Sequence, residues 1–544
     1  MPLIHGLRYR TTKIYNMDIE CRNRIGFDFS EGSGKTLHGV NPVSNTMIPD
    51  KFFTATPEDV DEAMCKAETA FQKFSTTGWE ERAAFLESIA DEMEALGDLL
   101  IHRASEETGL PEARIIGERG RTTGQLRMFA QYIRTGNWVE ATIDTAIADR
   151  SPVPKPDLRK MMVPLGPVVV FGASNFPLAY SVAGGDTAAA LAAGCPVLVK
   201  AHPGHPGTSA LVGEAIIKAA QMHDMPDGTF SLLYDNGFAV GQALVGHPYT
   251  TAVGFTGSVG GGRALFDIAA KRPNPIPVFA EMGSTNPVIL LPEALKARSK
   301  EVAQEYAASI TLGVGQFCTN PGLLFGIRGE ELEEFKSHLK TAFIGTNPGT
   351  MLHEGIGKAF MQKSNKMLSE PDVAVLVESD KEATAGQGRP TFATTKGSEF
   401  IKNPSLHEEV FGPFSMLIEC ENIDELDHCI KALHGQLTGT LIGEPDDFEN
   451  HTALVYELQQ KVGRLIFNGV PTGVEVCPSM MHGGPYPATT DSRFTAVGIH
   501  SIKRFLRPVA YQNTPHPLLP GPLKNENPNK IMRLVNGTYT TEPV

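Results

Sequence analysis

The sequence is poor in the features that staple, span or coat. Its seven cysteines (Cys21, Cys65, Cys195, Cys318, Cys420, Cys429, Cys477) are scattered through 544 residues, odd in number and free of any CxxC spacing. That pattern excludes a disulfide framework and a zinc knuckle, and predicts a reducing compartment, the cytoplasm, with no metal site. Basic charge is short as well: 48 Lys and Arg face 62 Asp and Glu, giving a formal charge of −14 and a pI near 5.6. This is the wrong sign for coating a polyanion, so nucleic acid is not the expected partner. Long apolar runs are missing too. The longest apolar tract, 168–199, is interrupted by Asp186, broken by Pro177 and Pro196 and diluted by glycines, so it reads as buried strand, helix and strand and no membrane partner is expected. Near the N-terminus Arg8, Arg10 and Lys13 have no apolar stretch behind them, and Asp18 and Glu20 follow. Neither a secretory signal nor a transit peptide has that form.

Periodicity is what the chain has in quantity. Residues 1–40 are rich in turn-formers and show no amphipathic repeat. From Pro57 to Thr108, Val60, Ala63, Met64, Ala67 and Phe71 fall at helical spacing, and Phe85, Ile89, Met93, Leu96 and Leu100 repeat it, so two or three helices follow one another. A further helix is predicted from Pro111 to Tyr132, and Pro152, Pro154 and Pro156 mark an extended connector. Between 163 and 281 short β-rich runs appear at Val168–Phe171, Pro196–Lys200, Thr229–Tyr234, Thr251–Phe255 and Pro277–Glu281. Helical stretches separate them at Leu178–Ala193, Gly207–His223, Ala239–Val245 and Gly260–Lys271. Strands joined by helical crossovers imply an α/β fold with a parallel sheet, whose ligand sites lie at the carboxyl ends of the strands. A second α/β block follows, and the tail after Pro508, rich in Pro and Asn, is expected to be arm-like or partly ordered.

Several segments could carry chemistry. Gly34-Lys35-Thr36 ends like a phosphate-binding P-loop, but Phe29 stands where such a loop needs glycine and no buried strand precedes it, so it reads as a polar turn. Residues Phe255 to Gly262, FTGSVGGG, directly follow a strand and open a helix. Backbone N–H groups there can face a pyrophosphate without an intervening Cβ, which makes Gly257, Ser258 and Gly262 candidate cofactor residues. The loop from Lys200 through His202 and Pro203 to His205 carries no carboxylate to accept from a ribose 2′-hydroxyl, so a 2′-phosphate should be tolerated there. The two histidines lack an obvious third ligand and are expected to be solvated. Cys318 lies in a turn-rich setting that would expose it, while Cys195 heads an apolar strand and Cys429 sits in a helical pattern. The residues alone leave a reactive thiol and an inert buried one as equal readings of Cys318. Glu281 ends an apolar strand, an uncomfortable place for a carboxylate unless it lines a cavity.

At these residues the chain resembles the aldehyde dehydrogenase superfamily. Asn175-Phe176-Pro177, Phe255-Thr256-Gly257-Ser258, Glu281-Met282-Gly283, Gly315-Gln316-Phe317-Cys318 and Glu409-Val410-Phe411-Gly412-Pro413 occur in that family's order and approximate spacing. The wording of 171–177, 201–209 and 482–489 is similar to the branch holding α-ketoglutaric semialdehyde dehydrogenases and a bacterial fatty-aldehyde dehydrogenase. The resemblance implies a Rossmann-type cofactor domain at 41–282, with 133–160 contributing to a small bridging β segment. It also implies a catalytic domain at 283–495, a bridging strand at 496–512 and a tail at 513–544, with 1–40 as a divergent N-terminal segment.

It further implies that Cys318 attacks the aldehyde, that Asn175 and the Cys318 N–H hold the oxyanion, and that Glu281 activates water to hydrolyse a thioester. Lys200, His202, Pro203, Ser258, Glu409 and Phe411 would meet NADP, with NAD also accepted. His482 resembles a histidine near the thiol in the fatty-aldehyde member, although a surface-loop histidine reads almost as well. Phe176, Phe317, Arg121 and Gln125 would line the substrate tunnel, with Arg121 pairing a distal carboxylate. The alternative for Arg121, as for Arg127, is a surface salt bridge. Met282-Gly283-Ser284-Thr285 replaces the Leu-Gly-Gly-Lys of many members. The implied activity is oxidation of 2,5-dioxopentanoate to 2-oxoglutarate by a homodimer or homotetramer, since Arg507-Pro508-Val509 resembles the family's bridging strand. A long-chain aldehyde dehydrogenase and a non-catalytic cofactor-binding protein are the alternatives.

Overall fold

The computed structural model describes residues 19–544; Arg8, Arg10 and Lys13, on which the leader argument rested, lie outside the described residues. Three sheets organise the chain. The first holds five parallel strands, Val168–Phe171, Val197–Lys200, Phe230–Leu233, Ala252–Thr256 and Val278–Glu281. Numbered in chain order these lie side by side as 3-2-1-4-5, the doubly wound arrangement whose order reverses between the first and fourth strands. Runs such as Val168-Val169-Val170 form these strands because they are buried on both faces and β-branched side chains pack well there. The reversal splays apart the loops leaving Phe171 and Thr256, and a crevice opens at their carboxyl ends.

The crossover helices begin where the sequence supplies caps. Thr56 and Asp59 form a capping box on Pro57–Phe74, Pro206 opens Pro206–Met222, and the Ser258 side chain accepts from Gly261 N at the start of Val259–Ala270. Predicted and observed helices agree closely except at Leu178–Ala193. There the helix spans only Gly185–Ala193, because 177–184 is a series of turns in which Gly184 packs against the Ala179 carbonyl, where a Cβ would lie 2.5 Å from the oxygen.

Two expectations about the chain ends are corrected. Residues 1–40 are not uniformly irregular: Asn23–Ile25 pairs antiparallel with Phe230–Leu233, and Asp28–Ser30 folds back on it, so this hairpin extends the cofactor-domain sheet. The C-terminal tail is no loose arm either. Arg533–Val535 runs parallel to Thr142–Asp144 and pairs with Thr538–Thr540, which completes a five-stranded sheet begun by Leu506–Gln512 and Leu158–Pro164. The buried Arg533 anchors it by donating to the Asn525 and Glu542 carbonyls. A second seven-stranded sheet, also largely parallel, runs Ala374–Glu378, Thr391–Lys396, Phe414–Cys420, Leu323–Ile327, Val288–Leu290, Gln436–Ile442, Val462–Phe467. Among the described residues no helix is long and apolar enough to cross a membrane.

Candidate active site

Cys318 is held in a turn that the sequence can form only under constraint. After the helix Pro292–Thr311, Gly313, Val314 and Gly315 all adopt positive φ, at 55°, 61° and 63°. For a β-branched valine this conformation is strained, and such strain persists only where surrounding structure enforces it. The enforcement is visible on both sides. A Cβ on Gly315 would lie 2.2 Å from the Gly412 carbonyl oxygen, so this turn is wedged against the loop carrying Glu409 and Phe411. On the other side Asn286, buried and itself at φ 47°, donates from Nδ2 to the Cys318 and Asn320 carbonyls, both at 2.9 Å. Asn286 Oδ1 in turn accepts from Ser284 and Thr438 hydroxyls at 3.0 Å, and Gln436 Oε1 accepts from Ser284 and Thr285. Gly315→Ala is therefore expected to cost on the order of 2 kcal/mol or more, visible as a lowered melting temperature; unchanged unfolding would show that the wedge is slack.

Around the thiol stand three groups from distant parts of the chain. Asn175, in the loop after Val168–Phe171, is buried and donates from Nδ2 to Gln316 O at 3.1 Å. An amide nitrogen carries two hydrogens, so this bond orients the second for another acceptor. Glu281 is the last residue of its strand, tied by a bridge to Thr489, and its buried Oε2 has no hydrogen-bond partner among the described residues. His482 lies between them: its Nε2 is 3.7 Å from Cys318 Sγ and 4.0 Å from Glu281 Oε2. With 3% exposure, His482 is no surface-loop residue. A cavity of about 240 Å³ ends at Cys318 and is walled by Phe176, Phe317, Tyr180, Val474, Arg114 and Arg121.

Burial dominates the electrostatics. It pushes the Cys318 thiol up to about 12, with the charges of Glu281 and Glu409 adding and Arg121 opposing. It lifts Glu281 well above the usual carboxylate range, against the pull of Arg504 and with help from Asp186. It holds His482 down at about 3, reinforced by Arg464, Arg121 and Arg504. The imidazole is thus neutral and a weak base, since burial and the arginines both disfavour its protonated form. Both the thiol and the carboxyl reach their ionised forms only as pH rises. Accordingly kcat/KM should climb from neutral into alkaline pH, with no acid limb from His482 near neutrality; a measured profile with an acid optimum would contradict this assignment of protons.

A thiol, an amide and a carboxylate of this kind at the mouth of a doubly wound sheet have counterparts elsewhere. Residues 29–485 match the aldehyde dehydrogenase family. The chain belongs to that family. Over 514 residues, 94% of this chain and 98% of the relative, it is 50% identical to alpha-ketoglutaric semialdehyde dehydrogenase 2 of Azospirillum brasilense. It is 47% identical to alpha-ketoglutaric semialdehyde dehydrogenase of Acinetobacter baylyi over 93% of this chain and 96% of that one. The fold is shared with betaine aldehyde dehydrogenase from Staphylococcus aureus in complex with NAD+, at TM-score 0.76 and 20% identity, covering 91% and 96% of the two chains. It is shared also with an aldehyde dehydrogenase from Physcomitrella patens in complex with succinate, at TM-score 0.74 and 22% identity, covering 91% and 98%. As a family member the chain is an oxidoreductase acting on aldehydes.

The remaining candidate residues of this aldehyde dehydrogenase divide into those that face the crevice and those that do not. Gly257 and Ser258 are exposed at the start of a 12-residue helix, where N–H groups and the positive helix end suit a pyrophosphate. Lys200 donates from Nζ to Asp235 O at 2.9 Å, and burial lowers it to about 8. Glu409 is lifted to about 7 by burial and lines, with Phe411, Phe317 and Ser284, a small cavity next to the Cys318 turn. Gly262 is buried instead under Met282, whose sulfur a Cβ would meet at 2.7 Å; it permits close helix-to-strand packing and does not face the crevice. The histidine pair is not solvated. His205 is buried and bonded to Ala173 O, and half-buried His202 stacks on it at 5.2 Å with His353 at 5.6 Å. Pro203 follows in the same loop, half-buried. No group of three or more metal-binding side chains is found among the described residues.

On the substrate side, Phe176, Phe317 and Arg121 line the cavity and Gln125 does not: it is buried with its Nε2 beside Gly185. One more turn of helix carries it past the opening. Arg127 is on the surface, paired with Glu94 and Asp91. Sequence reasoning missed Arg114 and Glu118, which share the helix Glu112–Arg134 with Arg121 and line the same cavity. Their signal was present, since positions 114, 118 and 121 recur at helical spacing on one face.

Proposed function

We propose that this aldehyde dehydrogenase oxidises 2,5-dioxopentanoate, the semialdehyde of 2-oxoglutarate, to 2-oxoglutarate with NAD(P). The observation that carries the reading is that two guanidinium groups, Arg114 and Arg121, against one carboxyl, Glu118, stand with Phe176, Tyr180 and Phe317 in the wall of the cavity that Cys318 lines. With two cations against one carboxyl, a semialdehyde with a distal carboxylate supplies the missing counter-charge, whereas an alkanal supplies none. The two relatives named for this semialdehyde agree with that chemistry.

In this mechanism the Cys318 thiol loses its proton to solvent, an ionisation that burial delays into alkaline pH, and the Sγ thiolate bonds to the aldehyde carbon beside the neutral His482. The oxyanion accepts from Asn175 Nδ2 and the Cys318 N–H, a donor of that kind being worth about 3 kcal/mol in the transition state. NAD(P), when bound, supplies the acceptor for the electron pair that the adduct gives up. Glu281, as the carboxylate, then takes a proton from water as it attacks the thioester on Cys318, and the C–S bond breaks to release the acid and the thiolate. The exposed amide cradle at Gly257 and Ser258, Lys200, and Glu409 with Phe411 would hold the cofactor. NADP is the proposed partner because the loop after Lys200 lacks a carboxylate and both oxygens of the nearby Asp235 are taken by Gly237 and Val240 N–H groups.

The cofactor domain would include the 23–30 hairpin in addition to 41–282, with 283–495 as the catalytic domain and 142–164, 506–512 and 533–540 as the bridging sheet. Leu506–Gln512 and Val462–Phe467 each end a sheet, which suits pairing between copies in a homodimer or homotetramer. Steady-state kinetics with NAD and NADP test the reading: kcat/KM should be far higher for 2,5-dioxopentanoate than for pentanal, and a kcat/KM that rises with alkanal length instead would transfer the enzyme to long-chain aldehydes.

A further inference from the structure

The cavity holds two arginines, and their surroundings are not equivalent. Arg121 is engaged at both ends of its fork: it donates from Nη1 to the Val474 carbonyl and from Nη2 to the Tyr180 hydroxyl at 3.4 Å, while its Nε is buried without a hydrogen-bond partner among the described residues. It braces the wall formed by 473–474 and Tyr180. Arg114 is held differently. Its guanidinium lies 4.7 Å from the Phe176 ring centre and 4.5 Å from the Phe317 ring centre; these rings meet edge to face 5.7 Å apart, so together they hold it from one side. Among the described residues its one hydrogen bond is from Nη2 to Asn175 O at 3.2 Å. None of its nitrogens is among the buried atoms that lack a partner, and the side chain keeps 20% of its surface.

Glu118, one helical turn on, explains why Arg114 stays available. One carboxylate oxygen of Glu118 is consumed by the N–H groups of Leu178 and Ala179, at 2.9 and 3.0 Å. The other stands 3.8 Å from Arg114 Nη2, close enough to balance charge and too far to bond. Arg114 is thus a largely buried cation with unused donors, packed against the two aromatic rings beside the nucleophile, of which Phe317 adjoins Cys318 in the chain.

We infer that Arg114, and not Arg121, reads the distal carboxylate of the substrate and is the specificity-determining residue of this enzyme. The inference rests on the semialdehyde reading above and adds the residue that enforces it. A carboxylate entering the cavity would take the unused donors of the guanidinium in a charge-assisted contact, with the rings of Phe176 and Phe317 against its carbon chain and the aldehyde directed at Cys318.

The test is the ratio of kcat/KM for 2,5-dioxopentanoate to kcat/KM for pentanal, measured in the full-length enzyme and in Arg114→Met, Arg114→Lys and Arg121→Met. Arg114→Met should lower that ratio about 100-fold, chiefly through KM for the semialdehyde. Arg114→Lys should restore part of it, and Arg121→Met should change it by a few-fold only. Using the ratio separates carboxylate reading from the bond that Arg114 makes to Asn175, because a disturbed Asn175 would slow both aldehydes alike. An unchanged ratio in Arg114→Met, or a larger loss in Arg121→Met, overturns the inference. A wild-type enzyme that does not favour the semialdehyde over pentanal would instead overturn the substrate reading itself.

Discussion

Cys318→Ala is expected to bind NAD(P) with nearly the affinity of the wild type and to oxidise no aldehyde, a loss in kcat on the order of 10⁴ or more. The two halves of that result have separate structural grounds. Of the crevice residues, Lys200 ends its strand and Ser258 caps its helix, while Glu409 sits in its own loop, and none of the three bonds to the sulfur. The sulfur has no substitute: among the remaining cysteines, Cys195, Cys420 and Cys429 are buried in apolar cores and the others lie outside the cavity wall. Fluorescence titration of the cofactor alongside a turnover assay reads both halves. Retained turnover would reassign the nucleophile, and lost cofactor binding together with lost turnover would mean that the turn around Cys318 had collapsed.

Glu281→Gln should separate the two halves of the reaction. The amide keeps the size of the carboxyl but cannot take a proton from water, so hydrolysis of the thioester should slow by about 10²–10⁴. Attack by Cys318 should survive, since removing the Glu281 charge takes away one of the groups that hold the thiol up and leaves its ionisation to solvent open. Rapid mixing should then show a burst of reduced cofactor followed by a slow steady state. If burst and steady state fall together, Glu281 serves the attack itself; if neither falls, the water is activated elsewhere.

The cofactor domain was legible in the sequence because its information is local. Runs such as Val168–Phe171 are short, β-branched and buried on both faces, and helix-forming stretches with their own caps separate them, so each strand was placed to within a residue or so. Cys318, Glu281 and Asn175 were singled out by motif order, and the fold brings all three to one crevice. What stayed hidden depends on contacts between distant segments. The polar network of Asn286, Ser284 and Gln436 that anchors the Cys318 turn joins residues about 150 apart, with nothing in their local sequence to mark it. His482 and His205 read as loop histidines because a Gly-Pro-rich stretch looks exposed, and only packing against Tyr180 and Ala173 buries them. The tail after Pro508 looked like an arm because strands as short as Arg533–Val535 carry no period of their own and form only when the edge at Thr142–Asp144 is present.

The central claim is that the aldehyde carbon becomes bonded to Cys318 on its way to the acid. Its most direct test is mass spectrometry of Glu281→Gln quenched after a single turnover with 2,5-dioxopentanoate and NADP. The account predicts a mass increase equal to the acyl group of 2-oxoglutarate, confined to the peptide that contains Cys318. Acid formed without any adduct, or an adduct on a different residue, would contradict it.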